Sequence, residues 1–434
     1  MFRGICLLGQ LGTEGLRAQA RWELEVSRTI LARRRKVLLV ALLPIGLVFG
    51  AELALAALPE TIGGHKAYLP ALVNTQMLLG SLLVGLLAGL ITGVIGAGGG
   101  YILTPALMSF GVKGIMAVGT DQFHLFAKAI MGTTIHRKLG NVNFWLALWF
   151  VLGSVLGVSA GGYFNRRIYN LNPSLSDSFI CVMYVLILGI LGFYALYDWL
   201  RLRRRAADGA DQADATTRVA RWLQGLPLAP RVKFDPDAVP GGRSIAVYPV
   251  IGCGLLVGLL ASIIGVGGGF LTFPMFVYGL GVSTFTTVGT DILQIIFTTA
   301  YSSVCQYAIY GFVFYTVAMG MLLGSLVGVQ VGAMVTATVT GAVIRAFYAI
   351  TILAGFVNRL AALPKKLSDA GFISLPPSLG VTVENIGIVL FFGLVGIFGI
   401  WVLWSFFRSL PALRGAEAPP PTVAAPVSQG ESEP

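Results

Sequence analysis

The stretch 77–95, MLLGSLLVGLLAGLITGVI, runs nineteen residues without a charge. A helix of that length rises about 28 Å, close to the thickness of a bilayer's hydrocarbon core. Further apolar runs lie near 37–58, 115–137, 143–163, 178–200, 245–264, 285–307, 312–336, 341–358 and 386–407. Only 11% of the residues are charged and 56% are hydrophobic, whereas a soluble domain carries about 25% charged residues. Such a chain cannot clothe a water-facing surface. The expected fold class is all-α: a polytopic helical membrane protein.

The polar residues divide the chain. Residues 1–36 form a leader in which LRAQARWELEVSRTILARRRK mixes Trp, Leu and Arg, as a helix lying along a membrane surface does. The run at 37–58 follows this basic segment and ends in small residues, as a signal peptide would, but it is too long for that and is expected to stay as a first span. Glu52 falls near its outer end. Residues 37–200 make a first transmembrane half, 201–243 a charged linker rich in Pro and Gly and expected to be polar, exposed and cytoplasmic, and 244–410 a second half. The tail 411–434 is Pro-rich, has nothing to bury and is expected to be disordered. The net charge of +11 comes mostly from outside the apolar runs. It is the signature of the positive-inside rule rather than of nucleic-acid binding. The cysteines Cys6, Cys181, Cys253 and Cys305 are scattered without metal-ligand spacing, and the three histidines form no metal-spaced cluster. Neither metal nor cofactor is expected.

The two halves repeat. GLLAGLITGVIGAGGGYILTP (85–105) aligns with GLLVGLLASIIGVGGGFLTFP (254–274), and LGSVLGVSAGG (152–162) with LGSLVGVQVGA (323–333). An offset that stays near 170 throughout marks one unit used twice. Each unit holds about five segments, an odd number, so the second copy is expected to be inverted in the membrane. The basic stretches then place the N-terminus, the linker and the C-terminus in the cytoplasm. Arg166, Arg167, Lys365 and Lys366 fall on the other side and dissent from that assignment.

Each unit contains a glycine cluster followed by proline: Gly98, Gly99 and Gly100 before Pro105, and Gly267, Gly268 and Gly269 before Pro274. The segments they open, 100–112 and 268–280, are short enough to be half-helices, re-entrant legs or broken spans. Transporters place such broken helices near the membrane midplane, where the freed N–H groups and the positive end of the helix dipole suit an anion. Tight helix packing through small residues is the competing explanation.

A second motif, VGTD, recurs at 118–121 and 288–291. Thr120 and Asp121, like Thr290 and Asp291, either cap a following helix or belong to a polar site; both readings stand. Asp121, His124 and Lys128 share one helical face, and Gln294 takes the place of His124 in the second half. A lysine inside a span needs a partner. Asp121, Glu52 or an anionic substrate could neutralise Lys128, and His124 could carry a proton or simply bond to a neighbouring helix. The candidate substrate-binding set is Gly98, Gly99, Gly100, Thr120, Asp121, His124, Lys128, Gly267, Gly268, Gly269, Thr290, Asp291 and Gln294.

The paired GAGGG and GVGGG clusters, the GTD turns, the LGSxxGxxxG helices and the two halves around a polar linker resemble the TauE/SafE sulfite-exporter family over roughly residues 75–410. That resemblance implies transport of a sulfur-containing oxyanion or an organosulfonate such as sulfite or sulfoacetate. This chain differs in its long leader, its long linker and its larger number of apolar segments. No phosphate-binding loop is present, since GAGGG lacks a following Gly-Lys-Ser/Thr, and no enzyme activity is expected. The leading expectation is a secondary transporter of the bacterial inner membrane. A small-anion channel and a membrane scaffold or sensor are the alternatives. The expected partners are a small anion, the lipid bilayer, a proton or other coupling ion and a second copy of the chain.

Overall fold

The computed structural model describes residues 75–95, 99–138, 142–207, 217–235, 242–336 and 341–415. The leader, the run at 37–58, Glu52 and the tail beyond 415 lie outside the described residues. The first half contributes α1 (Thr75–Ile95), α2 (Gly100–Ser109), α3 (Gly114–Lys138), α4 (Phe144–Leu171) and α5 (Pro173–Ala207). The second contributes α7 (Val247–Ile264), α8 (Gly269–Pro274), α9 (Thr284–Tyr301), α10 (Tyr315–Thr336) and α11 (Gly341–Asp369), followed by the long α12 (Pro377–Gly415). The protein is an all-α polytopic membrane protein. Seven helices among the described residues are long and apolar enough to cross a membrane. Their outward faces carry large apolar side chains, among them Leu156, Ile190, Val389, Ile397 and Ile400.

Between the halves lie α6 (Arg218–Gln224) and the hairpin strands β1 (Arg231–Phe234) and β2 (Arg243–Ala246), paired antiparallel with Arg231 opposite Ala246. Val232, Phe234 and Ile245 are buried while Arg231 and Lys233 are exposed, the alternation of a half-buried ribbon. The hairpin is tied to the second half. The Asp235 carboxylate accepts from the Ser283 N–H at 2.7 Å and from its hydroxyl at 2.6 Å, and the Arg243 guanidinium donates to the Gly281 carbonyl at 2.7 Å. These stretches of the linker are therefore folded and packed, where the sequence suggested a solvated segment.

Two glycine seams hold the bundle together, and both join one half to the other. In α4, a Cβ on Gly153, Gly157 or Gly161 would stand 2.0, 2.1 or 2.6 Å from the carbonyl oxygens of Ile251, Leu255 and Leu259 in α7. In α10, a Cβ on Gly324, Gly328 or Gly332 would stand 2.0, 2.3 or 2.4 Å from those of Leu82, Leu86 and Leu90 in α1. Lipid supplies no hydrophobic drive between helices, so association rests on such close van der Waals approach. The first helix of each half thus packs on the fourth helix of the other.

Both glycine clusters open a short helix at a left-handed residue. Gly99 has φ 75° before α2 and Gly268 has φ 91° before α8, a conformation that excludes most side chains. Regular α-helix stops at Pro274, and the chain continues as one wider π-helical turn over Met275–Leu280, as a missing N–H in the ladder allows. In α2, residues Gly100 to Met108 are all buried. Tyr101 on α2 and its counterpart Phe270 on α8 meet in the interior, with ring centroids 5.7 Å apart.

Candidate substrate site

The two glycine turns meet. A Cβ on Gly100 would lie 3.1 Å from the Cα of Val266 and 3.2 Å from Cδ1 of Leu125. On Gly267 it would lie 2.6 Å from that same Leu125 atom. On Gly265 it would lie 2.9 Å from the Thr104 hydroxyl. The broken backbones therefore face protein, as unpaired peptide groups inside a membrane require. Gly98 lies outside the described residues.

Helix α3 supplies the polar face expected of it. Asp121 is fully buried, and its Oδ2 accepts from the Thr104 hydroxyl of α2 at 2.9 Å. His124, also buried, is bonded through Nε2 to Ser325 of α10 at 2.9 Å. Its Nδ1 lies 3.7 Å from Asp121 Oδ1, and neither of these two atoms has a hydrogen-bond partner. One turn on, the Lys128 ammonium donates to the Thr92 hydroxyl of α1 at 3.1 Å and lies within the field of Asp121. Thr92 in turn donates to the Ala88 carbonyl. A Cβ on Gly99 would fall 2.5 Å from that same Thr92 hydroxyl. Gly99, Thr92, Lys128, Asp121 and His124 thus form one contiguous patch.

The second half builds the same frame with the carboxylate kept as Asp291 and with neutral Gln294 and Thr298 in place of His124 and Lys128. The Gln294 amide donates to Asp291 Oδ1 at 2.7 Å and to the Thr272 hydroxyl at 3.3 Å. Its carbonyl accepts from Thr298 at 2.9 Å, and Thr298 bonds to Ser154 of α4 at 2.8 Å. No buried polar atom of this network is left without a partner, whereas the first-half patch keeps two. The carboxylates occupy equivalent places. Asp121 Oδ2 and Asp291 Oδ2 each lie 3.3 Å from where a Cβ on the first residue of the short helix would stand, Gly100 for α2 and Gly269 for α8. A negative side chain there offsets the positive end of the helix dipole.

The capping reading of VGTD needs correction. Both motifs lie within α3 and α9 rather than at their starts, and Ser283 caps α9 instead. Thr120 and Thr290 turn their hydroxyls away from the glycine turns, to the opposite half. Thr120 accepts from the Phe314 N–H before α10, and Thr290 from the Asn143 N–H before α4, both at 3.0 Å. They do cap helices, but helices of the other repeat. Sequence reasoning passed over Thr92, Thr104, Ser154 and Ser325, single hydroxyls scattered through apolar runs. Their only signal was position: Ser154 and Ser325 occupy the same place in the two LGSxxGxxxG segments.

Comparison with known proteins agrees with this architecture. The chain is similar to the probable membrane transporter protein YjnA of Bacillus subtilis (strain 168), 24% identical over 247 residues, which cover 57% of this chain and 85% of that protein. No solved structure matches. The sequence pattern of the family described as sulfite exporter TauE/SafE matches residues 81–359, a span that takes in both glycine turns, both GTD motifs and both seams. The chain belongs to the TauE/SafE family of membrane transporters.

Proposed function

We propose that this protein is a secondary transporter that moves a small anion, a sulfur-containing oxyanion or organosulfonate, across the bacterial inner membrane. The observation that carries the reading is the first-half patch. It sets a half-buried lysine, an Asp–His pair with unpartnered atoms and the N-terminus of a broken helix side by side. Buried polar atoms without partners are rare, and a bound ion or water is one thing that satisfies them. The family and the similar bacterial transporter support a transport role; the choice of a sulfur oxyanion rests on the family's description alone.

The same geometry suggests how the anion is coupled. An anion against Gly99 and Gly100 would meet the Asp121 carboxylate, and two like charges at such a distance repel strongly in a low-dielectric interior. A proton on the Asp121–His124 pair removes that repulsion while Lys128 remains available to the anion. Anion and proton then bind together or not at all. In this reading the two halves are inverted repeats, with both termini and the linker cytoplasmic. A second copy of the chain completes the assembly.

Flux into proteoliposomes tests the reading, using sulfite, thiosulfate, sulfate and methanesulfonate with and without a proton gradient. Saturable flux of a sulfur anion that responds to the gradient is expected. Absence of flux for all four overturns it, and flux that neither saturates nor responds to the gradient indicates a channel. Cysteine labelling at Asp211 and Ser432 tests orientation; modification from the periplasmic face at either position removes the inverted arrangement.

A further inference from the structure

The patch around Lys128 leaves one buried charge unused. Arg359 on α11 is 1% exposed. Its Nε donates to the Asn358 side-chain carbonyl at 2.7 Å and its Nη2 to the Ser109 hydroxyl at 2.8 Å, while Nη1 has no partner. The Asn358 amide also reaches Ser109, at 3.2 Å. A guanidinium held inside a membrane protein is expensive unless a counter-charge meets it. Among the described residues no carboxylate pairs with it. The two acids whose charge reaches Arg359 are Glu384 and Asp177. Lys365 engages the first and Lys366 the second, and Asp177 also accepts from the Gly114 N–H at 2.7 Å. The local acids are spent on other partners, so Arg359 keeps a net positive charge and an open donor nitrogen.

Its place in the fold gives that charge a use. Ser109 is the last residue of α2, and Gly99 caps the helix at its start. Ten residues of helix span about 15 Å, so Arg359 stands at the opposite end of α2 from the Lys128 patch. The α2 carbonyls at that end offset part of the charge, by no more than a helix terminus can, and offer nothing to Nη1. Two of the basic residues that dissent from the positive-inside pattern, Lys365 and Lys366, stand close by, on the Glu384 and Asp177 carboxylates whose charge reaches Arg359. Lys366 meets Asp177 at the start of α5.

We propose that Arg359, with Ser109 and Asn358, forms a second anion-binding site, one that takes a small oxyanion at the far end of α2 and passes it toward the Lys128 patch. The proposal rests on the anion-transport reading. Its role is a relay: two sites at the ends of one short helix let the anion step between positive charges without crossing bare hydrocarbon.

Calorimetric titration of the full chain in lipid nanodiscs with sulfite and with methanesulfonate tests it, using wild type, Arg359→Gln, Arg359→Lys, Ser109→Ala and Lys128→Met. For at least one anion the wild type is expected to bind a second molecule per chain. Arg359→Gln should lose that second event, Arg359→Lys and Ser109→Ala should weaken it about tenfold, the scale of one hydrogen bond to a charged group, and Lys128→Met should retain it. A folded Arg359→Gln protein with the wild-type isotherm overturns the proposal. If that variant does not fold, unchanged isotherms in both Arg359→Lys and Ser109→Ala overturn it, as does a wild type that binds neither anion or binds only at a Lys128-dependent site. Wild-type flux of either anion without a second binding event defeats this inference alone. Two binding events without flux defeat the transport reading alone.

Discussion

The Thr120 hydroxyl accepts the backbone N–H of Phe314 at 3.0 Å, across a gap of 194 residues in the chain. Its repeat-mate Thr290 does the same for Asn143. The first-half motif therefore caps the entry of the second half's seam helix, and the second-half motif returns the favour. Thr120→Val, which keeps shape and removes the acceptor, is expected to lower stability by about 0.5–2 kcal/mol, the range for lost helix caps. Thr120→Ser should restore most of it. Thermal unfolding in detergent reads both, and an unchanged midpoint in the valine variant would show that the contact contributes nothing.

Gly99→Val should abolish transport in protein that still reaches the membrane. The residue sits at φ 75°, and its Cβ would press on the Thr92 hydroxyl that holds Lys128. Gly268→Val, at φ 91° with Val257 Cγ1 at 3.0 Å, is expected to do likewise. Wild-type flux in either well-expressed variant would place the site elsewhere.

Lys128→Met removes the charge and keeps the stem. Its expected effect is a rise of about 10- to 100-fold in the half-saturation constant for the anion, the scale of a charge-assisted hydrogen bond. Adding Asp121→Asn should not bring the constant back. Recovery in the double variant would assign Lys128 to pairing with Asp121 instead of to the substrate.

Asp121→Asn by itself should leave flux measurable but independent of the proton gradient, because the amide cannot exchange a proton with His124. Flux ratios with and without an imposed pH difference report this directly. A variant that still follows the gradient would move the coupling proton to another group.

At the seams, Gly157→Leu and Gly328→Leu are expected to prevent assembly of a monodisperse protein, since each side chain would occupy the position of a backbone carbonyl on the facing helix. Gly252→Ala, where a Cβ meets nothing within 4 Å, is the matched control and should behave as wild type by size-exclusion chromatography.

Much of the fold was legible because the chain must match the thickness of lipid. The apolar run at 77–95 became α1 (Thr75–Ile95), and the short segment opened by Gly100 became α2. Runs at 341–358 and 386–407 understated α11 and α12, which continue to Asp369 and start at Pro377. Hydropathy stops where charges begin, while helical hydrogen bonding does not. That is also why Arg359 escaped notice: it follows the last apolar residues directly and reads as a flanking charge, although packing against α2 and α5 buries it. The linker hairpin was hidden by its surroundings, since four residues of alternating pattern are too few to stand out among Pro, Gly and charge. The polar face of α3 was legible from spacing; its partners Thr92, Thr104 and Ser325 were not, because periodicity tells which way a residue faces and not what it meets.

The exchanged seams also govern the order in which this protein can be made. When α1 enters the bilayer, the helix that fits its glycine face, α10, has not been synthesised, and it arrives only after α2 through α9 have left the ribosome. The nascent first half therefore waits in lipid with a bare backbone groove along α1 and another along α4, each open to a wrong neighbour. Neither half covers its own seam, and release of a chain shortened before α10 would leave a fragment with an open groove for quality-control proteases to find.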